Sequence, residues 1–229
     1  MKGAIVTGAA RGLGKAIALM LANEGYAVAI NYNKSRKEAA KTLKELRKIN
    51  SDCICVKGDL TNEKNVKRLV TAAKKKFGRI DVLVNNIGDF LYKPLLKTTS
   101  KEVKDMFENN SITVFSCSKE AIKIMKKQKR GRIVNIGSVG CTEMMVPDKT
   151  TPYYIGKTGV WLLTKALAKA APKGVTVNMV SPGILKTSVV KPKGAKYTDI
   201  REVAAAVSLL IHSNHNGKNV TVAKWKPDG

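Results

Sequence analysis

The sequence predicts a doubly wound α/β fold, in which helices cover both faces of one parallel sheet. Short apolar runs alternate with longer amphipathic stretches along most of the 229 residues, as repeated β-α-β units require. The apolar runs are continuous rather than alternating, which is typical of strands buried on both faces. Because no Pro/Ser-rich linker and no short-period repeat divides the chain, we expect a single domain over residues 1–229.

The first half of the chain is predicted to contain four strands separated by three helices. The strands are short runs of Val, Ile and Ala, whereas the helices carry Lys and Glu on their polar face. The strands are residues 3–7, 26–31, 53–57 and 82–85, and the helices are residues 13–24, 36–49 and 63–77.

The second half continues the alternation with longer helices. The apolar period predicts one uninterrupted helix over residues 100–127. The other helices are residues 153–171 and a helix beginning near Ile200, and the strands are residues 133–136, 176–180 and 220–222.

The charge of the chain is its most unusual property. It has 42 Lys and Arg against 17 Asp and Glu, a formal net charge of +25, and such a surface attracts polyanions. The cations are spread along the chain, however, and aromatic residues make up only 5%, so platforms for base stacking are scarce. We interpret most lysines as solvated helix surface. Nucleotide or RNA binding is kept as the non-enzymatic alternative.

Composition also bears on location and on metal binding. No run approaches the roughly 18 apolar residues that span a bilayer, and the first residues enter a strand-like run rather than a signal peptide. We therefore expect a cytoplasmic protein without a membrane partner. The four cysteines lack zinc-ligand spacing with histidines, and we predict no metal site.

The turn after the first predicted strand is rich in glycine. Residues 7–14 read Thr-Gly-Ala-Ala-Arg-Gly-Leu-Gly, directly before a helix. Glycines let the chain turn sharply and approach a pyrophosphate closely, while the helix N-terminus offers N–H groups to the phosphates. The position of this turn therefore predicts a Rossmann-like site for a dinucleotide.

The spacing T-G-x-x-x-G-x-G resembles the short-chain dehydrogenase/reductase family, in its single-domain branch. Further motifs of that family follow in order between residues 7 and 187. They are Asn85-Asn86-Ile87-Gly88 in place of N-N-A-G, Asn110 in the fourth helix, Ser138 after a strand, Tyr153 and Lys157 as Y-x-x-x-K, and Pro182-Gly183 after the sixth strand.

The resemblance implies that Asn110, Ser138, Tyr153 and Lys157 are the catalytic residues of a carbonyl reductase or alcohol dehydrogenase. Tyr153 and Lys157 are four apart and share a helix face. An ammonium beside the phenol is expected to lower its pKa, which suits proton transfer near neutrality. Ser138 can hold the substrate oxygen. By resemblance, Asn110 helps to hold a water that links Lys157 to solvent.

The cofactor is expected to be NADP(H), with NAD(H) as the alternative. An acid at the end of the second strand would favour NAD, but Tyr32 occupies that position. We predict that Arg11, Ser35 and Arg36 contact a 2′-phosphate. The remaining contacts implied by resemblance are Gly8, Gly12, Leu13, Gly14, Asp59, Leu60, Asn86, Ile87, Gly88, Tyr153, Lys157, Pro182, Gly183, Ile184 and Thr187.

The substrate side is less clearly defined. VAINY, GRIVNIGSVG and VNMVSPGILKT are similar to 3-oxoacyl-[acyl carrier protein] reductases of fatty acid metabolism. That similarity implies a substrate linked to acyl carrier protein or coenzyme A, and Lys129, Arg130 and Lys173 are candidate docking residues. Dehydrogenation of sugars, polyols or other secondary alcohols is the alternative. The substrate lid, about residues 187–200, is shorter than is usual in the family.

The resemblance also implies a homo-oligomer, a dimer or a tetramer. The last residues, AKWKPDG, depart from the closing D-G-G of the family, and this departure puts the usual tetramer contacts in question.

Overall fold

A computed structural model describes residues 1–224 and confirms the predicted fold class. Seven parallel strands form one sheet in the order β3-β2-β1-β4-β5-β6-β7. The strands are β1 (Lys2–Val6), β2 (Tyr26–Tyr32), β3 (Ile54–Lys57), β4 (Val82–Asn85), β5 (Gly131–Ile136), β6 (Val175–Pro182) and β7 (Asn219–Val222).

Helices connect these strands and cover both faces of the sheet. They are α1 (Gly12–Asn23), α2 (Arg36–Ile49), α3 (Glu63–Phe77), α4 (Ser100–Phe107), α5 (Thr113–Gln128), α6 (Thr151–Ala170) and α7 (Ile200–His212). A short 3₁₀ turn occupies Leu95–Lys97. No helix within residues 1–224 is long and apolar enough to cross a membrane.

The core has one apolar cluster on each face of the sheet. Side chains of β1 alternate between the two clusters, since Ala4 and Val6 join one and Ile5 joins the other. The first cluster contains the buried sides of α1 and α7, and the second contains those of α3, α5 and α6. The sheet is therefore buried on both faces, as the continuous apolar runs predicted.

One predicted element is wrong. The expected helix over residues 100–127 is divided into α4 and α5 by a π-helical turn, Glu108–Ile112. The prediction fitted one continuous helical period to the whole segment, so it did not detect a single turn of wider spacing. π-Helical turns occur frequently at functional sites, and this one carries Asn110.

The strand order reverses at β1, which pairs with β2 on one side and β4 on the other. In open α/β sheets, ligands bind at such a switch point, at the carboxyl ends of the strands. The closing residues 225–229, on which the expectation about tetramer contacts rests, lie outside the described part of the chain.

Candidate active site

A cleft of about 590 Å³ opens at this switch point. Its wall comes from the turn after β1, the loop after β4 and the start of the segment after β6. The lining residues are Gly8, Arg11, Gly12, Asn86, Ile87, Gly88 and Thr187. All seven belong to the predicted set of cofactor contacts.

The glycine turn is shaped by backbone conformations that glycine favours. Gly8 and Gly12 have φ of 60° and 59°, in the left-handed region. A Cβ on Gly14 would lie 2.6 Å from both Asn86 Nδ2 and the Gly8 carbonyl oxygen. The turn is thus a cradle that side chains would fill.

The N-terminus of α1 faces this cradle. Its N-cap residue, Arg11, makes no side-chain capping bond, and the first turn of the helix contains no acid. The first N–H groups of a helix need partners and carry partial positive charge. They therefore fit a phosphate, as the glycine pattern predicted.

Two residues that sequence reasoning missed hold the turn in place. The Thr7 hydroxyl accepts hydrogen bonds from the N–H groups of Asn86 and Ile87, at 3.0 and 3.1 Å. Asn86 Nδ2 donates in return to the carbonyls of Thr7 and Gly8. Buried Asn31 holds the turn from β2, since its Oδ1 accepts from the Gly8 N–H at 3.4 Å and its backbone carbonyl accepts from the Ala9 N–H at 3.0 Å. The only signal in the sequence was that Thr7 and Asn31 are polar residues at the ends of the apolar runs of β1 and β2.

The corner between β2 and α2 contains the residues expected to meet a 2′-phosphate. Arg11 and Arg36 are exposed, and Ser35 is the N-cap residue of α2 without a side-chain capping bond. The structure also brings an acid here, because Asn33 Nδ2 donates to the Asp59 carboxylate at 3.0 Å. Hydrogen bonds from Thr61 hold the pKa of that carboxyl below its ordinary value.

The other predicted contact after β3 is placed differently. The Leu60 side chain is buried in the core, so only its backbone can face a cofactor.

Together, the cradle, the free helix N-terminus and the two exposed arginines fit a phosphorylated dinucleotide.

Tyr153 and Lys157 share one face of α6, as predicted. Lys157 Nζ lies 5.9 Å from the centre of the Tyr153 ring and donates to the Ile136 carbonyl at 2.9 Å. Ser138, which follows β5, lies close enough to the Tyr153 phenol to lower its pKa. The structure therefore brings Ser138, Tyr153 and Lys157 together.

The predicted direction of the Tyr153 pKa is wrong in this structure. Burial raises the pKa of the phenol, and the nearby Ser138 hydroxyl offsets only part of that effect. Burial also lowers the pKa of Lys157 to about 8. A sequence shows the spacing of Tyr and Lys, but it does not show that removal of water outweighs their attraction.

Asn110 lies beside the same cluster. Its Nδ2 donates to the carbonyls of Asp89 and Met106, at 3.1 and 2.9 Å. Within residues 1–224, its buried Oδ1 has no hydrogen-bond partner. A Cβ on Gly88 would lie 2.5 Å from this Oδ1 and 3.0 Å from Lys157 Nζ. The free acceptor beside the ammonium suits the bridging water that the resemblance implied.

Tyr154 is the alternative phenol at this site. Its ring lies edge-on to Tyr153, with centroids 5.5 Å apart, and its hydroxyl donates to the Val139 carbonyl at 3.1 Å. That bond fixes Tyr154 to the backbone. The geometry therefore favours Tyr153 as the proton donor.

The fold and the cleft define a dinucleotide-binding α/β enzyme. The chain matches the family described as short chain dehydrogenase over residues 2–198. It belongs to that family, whose members are NAD(P)-dependent oxidoreductases acting on CH–OH groups.

Two curated relatives carry the same name. A 3-oxoacyl-[acyl-carrier-protein] reductase from Synechocystis is 38% identical over 218 residues, which cover 90% of this chain and 87% of the relative. The reductase FabG from Staphylococcus aureus is 37% identical over 185 residues, 80% of this chain and 74% of the relative.

Solved structures show the same fold with cofactor present. An actinorhodin polyketide ketoreductase with NADPH has a TM-score of 0.87 and 30% identity, over 97% of this chain and 95% of its own. A short chain dehydrogenase from Burkholderia cenocepacia in complex with NADP has a TM-score of 0.89 and 31% identity, over 97% and 96%.

Proposed function

We propose that the protein is an NADPH-dependent reductase of 3-oxoacyl thioesters. The single observation that carries the reductase chemistry is the cluster of Ser138, Tyr153 and Lys157, placed beside a dinucleotide cleft. The thioester substrate is supported by the two relatives named above. The 2′-phosphate is supported by exposed Arg11 and Arg36 and by a Tyr, not an acid, at the end of β2.

The residues of the chain perform the acid and binding steps. The cofactor, when bound, supplies the hydride for the carbonyl carbon. Tyr153 donates its proton to the carbonyl oxygen as negative charge develops there, and the Ser138 hydroxyl hydrogen-bonds to the same oxygen. Lys157 stabilises the tyrosinate that remains. Asn110 and Lys157 hold the water through which the proton is replaced.

The surface charge suits an acidic carrier, but not at the positions first expected. Lys129, Arg130 and Lys173 immediately precede β5 and β6, so they lie at the amino ends of the strands. The cleft lies at the carboxyl ends. The exposed cations at that edge follow β4, β5 and β6, and they include Lys97, Lys149, Lys191 and Lys193. We propose that these four meet the acidic carrier or the phosphates of coenzyme A.

The segment after β6 is proposed to be a short substrate lid. Its base is closed where the Thr198 N–H donates to the Ile184 carbonyl at 2.8 Å, and Leu185 and Thr198 form an isolated bridge. Only a dozen residues lie between these two positions. A lid of this length leaves the substrate side open.

Replacing Tyr153 with Phe tests the chemistry. We expect Tyr153→Phe to lower kcat for reduction of an acetoacetyl thioester by about 10²- to 10⁴-fold while NADPH affinity changes little. The matched control is Tyr154→Phe, which removes the phenol bound to the Val139 carbonyl and should retain most activity. Near-normal kcat in Tyr153→Phe would refute the proton-donor role.

A substrate panel tests the thioester assignment. Acetoacetyl thioesters, simple ketones and sugars are compared with NADPH as the reductant, and the highest kcat/KM is expected for the thioester. Turnover of sugars or polyols without thioester turnover would favour the dehydrogenase alternative. Salt-sensitive RNA binding without any NADPH oxidation would favour the non-enzymatic one.

Replacing Arg36 with Asp tests the cofactor preference. Because the guanidinium would pair with a 2′-phosphate, Arg36→Asp should weaken NADPH binding by about tenfold or more and leave NADH binding nearly unchanged. Lys41→Asp makes the same charge change five residues further along α2 and is the control. Equal losses for both cofactors would contradict the preference for NADP(H).

A further inference from the structure

Phe90 lies against the tyrosine that is proposed to donate the proton. Its ring centroid is 4.9 Å from that of Tyr153, with an angle of 65° between the planes. This is the edge-to-face geometry that aromatic pairs prefer. Phe90 is half-buried and belongs to the loop after β4, so it approaches Tyr153 from a different element than α6.

Hydrogen bonds hold this loop at three points. The Asp89 carbonyl accepts from Asn110 Nδ2 at 3.1 Å. Further along, the Lys93 N–H donates to the Lys149 carbonyl at 2.8 Å, and the Leu95 N–H donates to Asp148 at 3.2 Å. Because Asp148 and Lys149 directly precede α6, the loop is fastened to the helix that carries Tyr153.

We propose that Phe90 is a positioning residue for Tyr153, one that fixes the orientation of the phenol ring and keeps water away from it. The inference rests on the proposed function, in which Tyr153 is the acid. An active site normally excludes water by closing a lid. Here the lid is short, and a fixed aromatic side chain provides the cover on the side of the tyrosine.

The groups around the phenol agree with this role. The titratable groups facing Tyr153 are Lys157 and Tyr154 on α6 and Cys141 after β5, and Glu143 acts on the last two. None of them dominates, since burial is the largest cause of the raised Tyr153 pKa. A side chain that contributes to that burial therefore affects the acidity of the phenol without touching the substrate.

The test compares two substitutions with a control. Phe90→Ala removes the ring, Phe90→Leu keeps most of the apolar volume, and Phe115→Ala removes a half-exposed ring that contacts Lys119 instead. The Tyr153 pKa is measured on cofactor-free protein in which fluorinated tyrosine replaces tyrosine, because its lower intrinsic pKa brings the titration into the range where the protein stays folded. The phenolate absorbance is taken as the difference between each variant and the same variant carrying Tyr153→Phe. The pH dependence of kcat is measured in parallel.

We expect Phe90→Ala to lower the Tyr153 pKa by about one unit, because water then reaches the phenol. Phe90→Leu should lower it less, and Phe115→Ala should leave it unchanged. The part of the kcat–pH profile that depends on protonation of Tyr153 should also move to lower pH. The shift should be largest in Phe90→Ala, smaller in Phe90→Leu and absent in Phe115→Ala. An unchanged Tyr153 pKa and an unchanged kcat–pH profile in Phe90→Ala would overturn the proposal, even if the melting temperature falls.

Should Phe90→Ala fail to fold, the comparison of Phe90→Leu with wild type decides in the same way. The experiment distinguishes a failure of the role proposed for Phe90 from a failure of the proposed function. A shifted Tyr153 pKa in a protein that reduces no carbonyl would support the contact with Phe90 and refute the reductase assignment.

Discussion

The turn after β1 and the loop after β4 border the same cleft and hydrogen-bond to each other, but their conformations have different origins. The turn owes its shape to glycines at positive φ and to close backbone approach at Gly14. The loop from Gly88 to Lys97 owes its position to hydrogen bonds with a segment that is 53 residues away in the sequence, as in the bond from Leu95 N–H to Asp148.

This difference separates what local sequence encodes from what tertiary structure decides. A glycine at positive φ is specified within a few residues, so the cofactor side can be recognised directly in the chain. A loop held by distant partners takes its conformation from the folded protein. Substitutions on the two sides should therefore differ in size of effect, and three predictions test that difference.

The largest effect is expected for Gly14→Ala on the cofactor side. The added Cβ would lie 2.6 Å from Asn86 Nδ2 and the Gly8 carbonyl oxygen, and 2.8 Å from Ala9 Cα, so backbone must move. We expect a loss of about 1–3 kcal/mol in the free energy of unfolding and at least about tenfold weaker NADPH binding, measured by urea denaturation and fluorescence titration.

Gly194→Ala is the matched change on the substrate side. Gly194 has φ of 78°, but a Cβ there would meet no atom of residues 1–224 within 4 Å. Only local backbone strain of about 1–2 kcal/mol is expected, with NADPH binding unchanged. Equal effects of the two substitutions on NADPH affinity would remove the distinction between the two sides.

The fold was predictable in most of its elements because burial patterns are periodic. The residues of α2, α3 and β4 agree with the predicted bounds, since continuous apolar runs and amphipathic stretches alternate clearly there. The π-helical turn was not predicted. It contains Ser111, whose hydroxyl donates to the Gly156 carbonyl on α6, and a contact between residues so far apart in the sequence is not visible in the sequence. The ladder from Lys93 and Leu95 to residues 148–149 was missed for the same reason.

The candidate site shows the same division. The seven residues that line the cleft were all identified from motifs, as were Ser138, Tyr153 and Lys157. The direction of the Tyr153 pKa was not, because burial is a property of the folded chain. Phe90 was also missed, since no spacing links it to Tyr153.

The second prediction concerns Lys157, which lies where the two sides meet. Its folded pKa of about 8 is below the ordinary 10.5. Between these values the unfolded chain binds more protons, so stability rises with pH. Burying the ammonium therefore costs the folded state most at neutral pH, where both states are protonated.

We expect Lys157→Met to be more stable relative to wild type at about pH 7 than at about pH 9.5. Wild type should recover about 1 kcal/mol per pH unit once the pH exceeds 8. Urea denaturation at both values measures the difference, and the exposed Lys169→Met is the control. The raised pKa of Tyr153 makes stability fall with pH, but only above pH 10.0, the ordinary pKa of the phenol. A pH-independent difference would contradict the burial argument.

The smallest effect is expected on the substrate side, at the bond between Asp148 and the Leu95 N–H. Both groups are exposed and their atoms are 3.2 Å apart, so the bond contributes about 0.5–1.5 kcal/mol at most. Asp148→Ala should therefore loosen the loop that carries Phe90, raise KM for the thioester by about two- to tenfold and leave NADPH affinity unchanged.

Asp105→Ala is the control for this change, because it removes an exposed carboxylate that pairs with Lys101 on α4. In the described part of the chain, this carboxylate has no bond to either loop. The decisive measurement is the ratio of the change in thioester KM to the change in NADPH Kd. If Asp148→Ala raises the thioester KM and the NADPH Kd by the same factor, the loop after β4 and the glycine turn respond as one unit. In that case the hydrogen bonds between Thr7, Asn86 and the glycine turn transmit the disturbance, and the cofactor side depends on tertiary contacts as much as the substrate side does.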